Sequence, residues 1–188
     1  VYIRRSNDVI PEIMGVVEES LNNEDIKDIR VPELCPSCNS KLIKDGVHYF
    51  CDNTLGCKPQ LMKNINHFSI REAMNIVGIS EKTIQQLMDT NIVNTIIDLY
   101  KLKDRKKDML KLERFAEKKV DNLINAIEKS KSCKLSSFIY ALGIPNVGVK
   151  TSKDLVKQYN DLDSLMNASV NDLIKIEDIG DIVATSIY

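Results

Sequence analysis

Ala141-Leu142-Gly143-Ile144-Pro145-Asn146-Val147-Gly148 is a run of turn-forming residues lying between two stretches with helical apolar spacing, 135–142 and 151–159. Glycine and proline punctuate a chain at fixed dihedral requirements, so this run predicts helix, tight hairpin, helix. The unit recurs to either side. Ile176-Glu177-Asp178-Ile179-Gly180 follows a helix expected over 170–174 and precedes a helix that runs to Tyr188, where it reads as truncated. Upstream, a helix expected to end near Val77 meets Gly78-Ile79-Ser80, and a new helix begins at Glu81. Between these, short helical pieces at 94–102 and 110–112 lead to Glu113-Arg114-Phe115-Ala116, then a helix with Val120, Leu123, Ile124 and Ile127 on one face. Four helix-hairpin-helix units in one chain point to a repeated supersecondary element, and the apolar stripes to its core.

Such a unit has a chemical use. Glycine just before the second helix lets the turn tighten and lets another backbone approach closely. The helix that follows offers unpaired N–H groups and the positive end of its dipole. Two adjacent hairpins would then hold backbone phosphates without reading bases. Gly148 and Gly180, at the third and fourth hairpins, are the strongest candidates, with Val147 and Thr151 beside the third. The first hairpin keeps Gly78 but has Ser80 where a second glycine would sit, and the second has Arg114 and Ala116 in place of glycines. Lys82, Lys118, Lys119 and Lys150 lie at or just past hairpins, where an ammonium adds salt-dependent attraction.

Ahead of the helices stand Cys35-Pro36-Ser37-Cys38, then Cys51 and Cys57. Tetrahedral Zn²⁺ held by the four thiolates is the favoured reading over two disulfides or four unrelated thiols. Residues 41–50 read as two short strands joined at Asp45-Gly46, which carry the chain out and back to bring up the second pair. Four thiolates would close the coordination shell, so the ion is expected to be structural. Cys133, without a His or Asp nearby in sequence, reads as a spare thiol.

The chain has 188 residues, enough for two or three compact units. No apolar run is long enough to span a bilayer, and no charged-then-apolar leader opens the sequence, so an intracellular, cytoplasmic setting is expected. Net charge is −1, which leaves little bulk electrostatic grip on a polyanion. The charges are nonetheless segregated. Residues 101–119 carry nine basic and four acidic side chains, whereas 161–188 carry six acids and the single Lys175. The basic run is expected to face phosphate, and the acidic one solvent. At the start, 1–5 and 9–17 read as strands around a turn at 6–8, the second interrupted by Pro11, with a surface loop over 18–28.

These residues together resemble the C-terminal half of the NAD⁺-dependent DNA ligases. The segment from Arg4 to Ile13 resembles the last strands of that family's OB-fold, and the four cysteines its zinc finger. His67-Phe68, Arg71, Ala73-Met74-Asn75-Ile76 and Gly78 resemble the opening of its helix-hairpin-helix domain. The runs from Ala141 to Gly148 and from Ile179 to Ile187 resemble its third and fourth hairpins. The second cysteine pair holds one residue more than the family's usual pattern. The resemblance implies a nicked duplex as partner and an adenylation domain in cis whose Lys-x-Asp-Gly lysine takes AMP from NAD⁺. It also implies Mg²⁺ or Mn²⁺ for the complete enzyme. No Lys-x-Asp-Gly occurs here, since Lys44-Asp45-Gly46 lacks the intervening residue. The chain alone is therefore expected to be inactive and monomeric, without the family's terminal BRCT domain, and nucleoid-associated if bacterial. The alternative is a DNA-binding module of a repair nuclease or topoisomerase.

The expected architecture is mainly α. Residues 1–30 would end an OB-fold, 31–60 would form the four-cysteine zinc finger, and 61–188 would form four helix-hairpin-helix motifs.

Overall fold

A computed structural model describes residues 1–6, 10–18 and 30–188. The expected turn at 6–8 and loop at 18–28 fall almost wholly outside them. The chain divides into two units, Val1–Leu34 and Cys35–Tyr188.

In the first unit, β1 (Tyr2–Ser6) pairs antiparallel with β2 (Ile10–Gly15), placing Arg4 opposite Glu12 and Arg5 opposite Pro11. Ile3, Ile10 and Ile13 are each more than 60% exposed, as expected of a two-stranded ribbon, which has no second layer to bury against.

The second unit opens with the cysteines and a hairpin of β3 (Leu42–Asp45) and β4 (His48–Cys51). Asp45 pairs with His48 across Gly46, whose φ of +56° supplies the left-handed bend.

Among the described residues, ten helices and one 3-10 turn follow. α1 (Lys58–Ser69) has Pro59 in its first turn, where a missing N–H costs nothing, and buries Leu61, Ile65 and Phe68. It stops eight residues short of the expected Val77. The next position on its buried stripe is Glu72, which cannot enter an apolar core. The chain instead leaves the helix at Ile70 and folds back to bury Ala73, Met74 and Ile76, turning at Asn75 with φ +50°. α2 (Glu81–Asp89) starts at Ser80, whose hydroxyl accepts from the Thr83 N–H. α3 (Ile96–Leu99) is closed by a capping box from Thr95 and Asp98. A 3-10 turn (Leu102–Arg105) and α4 (Lys106–Met109) follow, so the helical piece expected at 110–112 lies earlier. Leu102 and Met109 are fully buried and anchor it there, whereas Leu110 is 40% exposed. α5 (Glu117–Ser130) buries Val120, Leu123, Ile124 and Ile127, the expected stripe.

α6 (Leu135–Ala141) and α7 (Val149–Gln158) flank the third hairpin, and α9 (Val170–Ile174) and α10 (Asp181–Ile187) the fourth. Between these pairs lies α8 (Leu162–Met166), which the sequence reading missed. Asp161 announces it by accepting from the Ser164 N–H at 2.7 Å.

These helices enclose two apolar cores. The first gathers Ile65, Leu87, Leu99, Leu102, Met109 and Leu123 with others between Leu61 and Ala141. The second gathers Ile139, Val147, Leu155, Leu165, Leu173, Ile179 and Ala184. α6 serves both: Phe138, Tyr140 and Ala141 pack on the first, Leu135 and Ile139 on the second.

Candidate metal centre and nucleic-acid interface

The sulfurs of Cys35, Cys38, Cys51 and Cys57 all lie within 4.8 Å of one another. Cys35 and Cys57 approach to 3.9 Å, Cys38 and Cys51 to 3.5 Å. A disulfide needs about 2.05 Å, so these are thiols and not bridges. Tetrahedral zinc with metal–sulfur bonds of about 2.3 Å has sulfur–sulfur edges of about 3.8 Å, which these separations match. The cluster can therefore hold one metal ion.

Backbone bonds set this geometry. Cys35 N–H donates to the Ser40 carbonyl at 2.8 Å, and the first knuckle turns at Asn39 with φ +58°. Cys57 N–H donates to the Asn53 carbonyl, Gly56 N–H to the Asn53 side chain, and Gln60 Nε2 to the Cys51 carbonyl at 2.8 Å. The thiols differ in acidity. The Ser40 hydroxyl, and then its backbone, lower Cys38 to about 6, while burial pushes Cys51 up to about 12. Four thiolates this close would repel one another strongly, so a cation is what lets all four ionise.

The four hairpins share one backbone design. Each places a left-handed residue two positions before a helix N-cap: Gly78 (φ +100°), Arg114 (+64°), Asn146 (+64°) and Asp178 (+65°). Each follows it with an inward apolar residue, namely Ile79, Phe115, Val147 or Ile179. This corrects the reading of Gly148 and Gly180 as the residues that tighten their turns. Both have extended backbones, φ −88° and −90°, which any residue adopts. What glycine supplies there is clearance: a Cβ at either position would meet nothing within 4 Å. No side chain caps the helix at either, so the first amides of α7 and α10 are left without a side-chain acceptor. Ala116 likewise leaves α5 without a side-chain cap, whereas Ser80 fills an α2 amide with its own hydroxyl.

Hairpins three and four stand side by side. Lys150 Nζ forms an ion pair with Asp178 of the fourth hairpin, and Asn146 Nδ2 reaches Ser186 Oγ at 3.4 Å. The side chain of Val147 is buried in the second core, so only its backbone can face a ligand, and Thr151 is half-buried. Hairpins one and two also sit together, a pairing the sequence did not reveal. Gln86 Nε2 donates to the Glu113 carbonyl at 3.2 Å, and a groove of about 670 Å³ is lined by Ser80, Lys82, Arg114 and Lys119. Gly78, Ala116 and Lys118 line a second groove of about 620 Å³. Lys119 also rests over the Phe115 ring, 4.0 Å from its centroid.

The basic run is partly neutralised where it stands. Lys101, Arg105, Lys106, Lys111 and Arg114 pair with Asp98, Asp108, Asp121, Asp108 and Glu113 respectively. Lys103, Lys107, Lys118 and Lys119 make no ion pair among the described residues. Several acids of 161–188 act at helix starts: Asp161 caps α8, and Asp172 closes a capping box with Ser169. Lys175, then the Ser169 hydroxyl, hold Asp172 down to about 2. Cys133 packs against the first core, and burial raises its thiol above the ordinary range.

Residues 137–188 match the family model of the helix-hairpin-helix motif, a span that coincides with the second core. Over 187 residues, the whole chain is 62% identical to a DNA ligase of Clostridium novyi (strain NT). It is 58% identical over 188 residues to one of Clostridium botulinum (strain Loch Maree / Type A3). The likeness to DNA ligases runs from end to end. The chain spans 28% of the length of each of these relatives. No helix among the described residues is long and apolar enough to cross a membrane.

Proposed function

We propose that this chain is the DNA-gripping, C-terminal portion of an NAD⁺-dependent DNA ligase that joins a 5′-phosphate to a 3′-hydroxyl at nicks in duplex DNA. The observation that carries the reading is the paired, side-chain-free helix starts at Gly148 and Gly180, in a chain that matches ligases along its length. Amides at such starts donate to phosphate oxygens without distinguishing bases, so binding is independent of sequence. Gly78, Ser80, Lys82, Lys118 and Lys119 at the first pair of hairpins, and Lys150 and Thr151 at the second, extend the contact along the backbone.

Cys35, Cys38, Cys51 and Cys57 hold a structural Zn²⁺ that ties the β3–β4 hairpin to the start of α1. When bound, the ion supplies cross-linking and no open coordination position. Adenylyl transfer from NAD⁺, with Mg²⁺ or Mn²⁺, belongs to an adenylation domain in cis, and this portion contributes orientation of the nick. The protein works in the cell interior as a monomer on its duplex. End-to-end likeness to ligases favours this over a nuclease or topoisomerase module.

Fluorescence anisotropy with nicked duplexes of two unrelated sequences tests the reading. Equal, salt-sensitive affinity for both is expected. Absence of binding at low salt, or strong preference for one sequence, would refute it.

A further inference from the structure

Among the described residues, the two helical cores are joined by apolar packing around α6 and by one polar side-chain contact. His67, near the C-terminal end of α1, places Nε2 at 2.9 Å from the Tyr140 carbonyl oxygen of α6. A carbonyl has no proton to give, so Nε2 carries the hydrogen and donates. The imidazole also meets the Tyr140 ring edge-on, with centroids 4.8 Å apart and planes at 70°. Beside that donor, Cδ2 lies 3.4 Å from where a Cβ on Gly143 would sit, and Gly143 has φ +66°. His67 thus grips the last turn of α6 and the first residue of hairpin three together.

Among the described residues, no other side-chain hydrogen bond or ion pair joins 58–133 to 134–188. Lys58–Asp89, Gln86–Glu113 and Tyr100–Ser130 join elements around the first core, and Asn146–Ser186 and Lys150–Asp178 join elements around the second. α6 is seven residues long and apolar on both sides. Apolar packing is non-directional, so by itself it fixes rotation about so short a helix poorly. A hydrogen bond to a main-chain carbonyl does have direction.

We propose that His67 is a positioning residue that locks the second helical core to the first, so that both pairs of hairpins address one duplex. The lock itself stands on geometry alone; its consequence for DNA rests on the function proposed above.

The test uses the full metal-loaded chain with His67→Phe, which keeps a ring but loses the donor, and His67→Gln, which restores an amide donor. Residual dipolar couplings of backbone amides report the mutual orientation of the cores without DNA. One alignment tensor should fit both cores in the wild type and in His67→Gln, and two should be needed in His67→Phe. On a nicked duplex, His67→Phe should bind roughly fivefold more weakly, with His67→Gln within about twofold of wild type. Should His67→Phe fail to fold, long-range heteronuclear NMR of the wild-type imidazole should show the hydrogen on Nε2 and protected from exchange, as a donor to the Tyr140 carbonyl requires. A single tensor in the folded donor-less variant, or a freely exchanging Nε2 hydrogen in the wild type, overturns the lock. A wild-type chain that ignores the duplex overturns the proposed function instead, and the tensors still judge His67.

Discussion

Replacing Gly148 and Gly180 by valine separates stability from binding in a way few substitutions can. Both glycines have extended backbones and open space around the missing Cβ, so valine introduces neither dihedral strain nor collision in the free protein. Its cost to folding is the poorer helix-cap propensity of valine, about 0.5–1 kcal/mol per site. In a protein of this size that lowers Tm by about 2–4 °C per kcal/mol. In the complex the branched side chain stands where a phosphate must approach the first amides of α7 and α10. Loss of one charge-assisted hydrogen bond at each corner is worth about 1.5–3 kcal/mol, or roughly 10- to 150-fold in Kd per hairpin. The lost donors are uncharged amides, so the slope of log Kd against log salt should hardly move. Anisotropy titrations on a nicked duplex over a salt series, beside calorimetric melting, measure all three quantities. Unchanged affinity in the folded double variant would refute the main-chain phosphate mechanism, and a collapse of Tm would refute the claim that these corners are open.

Other outcomes follow from the same geometry. Asp178→Asn should tighten duplex binding several-fold and steepen its salt dependence by about one ion, because it frees Lys150 from its partner; asparagine also suits the φ of +65° at that corner. Anisotropy checks this, and weaker binding would count against a phosphate role for Lys150. Cys38→Ser, or exhaustive chelation, should abolish the binding of the one zinc ion proposed at the cluster and the dispersed amide resonances of 35–57 while sparing those of the second core, as followed by elemental analysis and heteronuclear NMR. Asp172 has a folded-state acidity depressed to about 2 from an ordinary 3.8, so its contribution is complete above pH 3.8 and is lost as pH falls through about 2. Asp172→Asn should therefore flatten the acid limb of a circular-dichroism titration between pH 4 and 2, and an unaltered limb would rule that contribution out.

Much of this architecture was legible in the sequence because its signals are local. The stripe Val120, Leu123, Ile124 and Ile127 marks α5 outright, and the cysteine spacing announces a ligand cluster. What was hidden depends on dihedrals and on distant partners. The bend of hairpins three and four was assigned to Gly148 and Gly180, yet Asn146 and Asp178 make it, because a short polar side chain tolerates the left-handed region. Superimposing the four hairpins at a fixed offset from each cap would have exposed that corner. The premature end of α1 was visible in Glu72, which breaks the 61–65–68 spacing. The pairing of hairpins one with two and three with four, and the reach of His67 to Tyr140, join residues too far apart in sequence for any periodicity to register.

Cys57 is at once the last of the four thiols and the N-cap of α1. Two equilibria therefore share one atom's position: occupancy of the cluster and closure of the helix whose first buried residue is Leu61. By thermodynamic reciprocity, each must strengthen the other to the same degree. A substitution at Ile65 or Phe68, about two and three helical turns along α1 from Cys57, should loosen an ion held by the cluster. Zinc release would then serve as a remote gauge of how well the helical floor beneath it is seated.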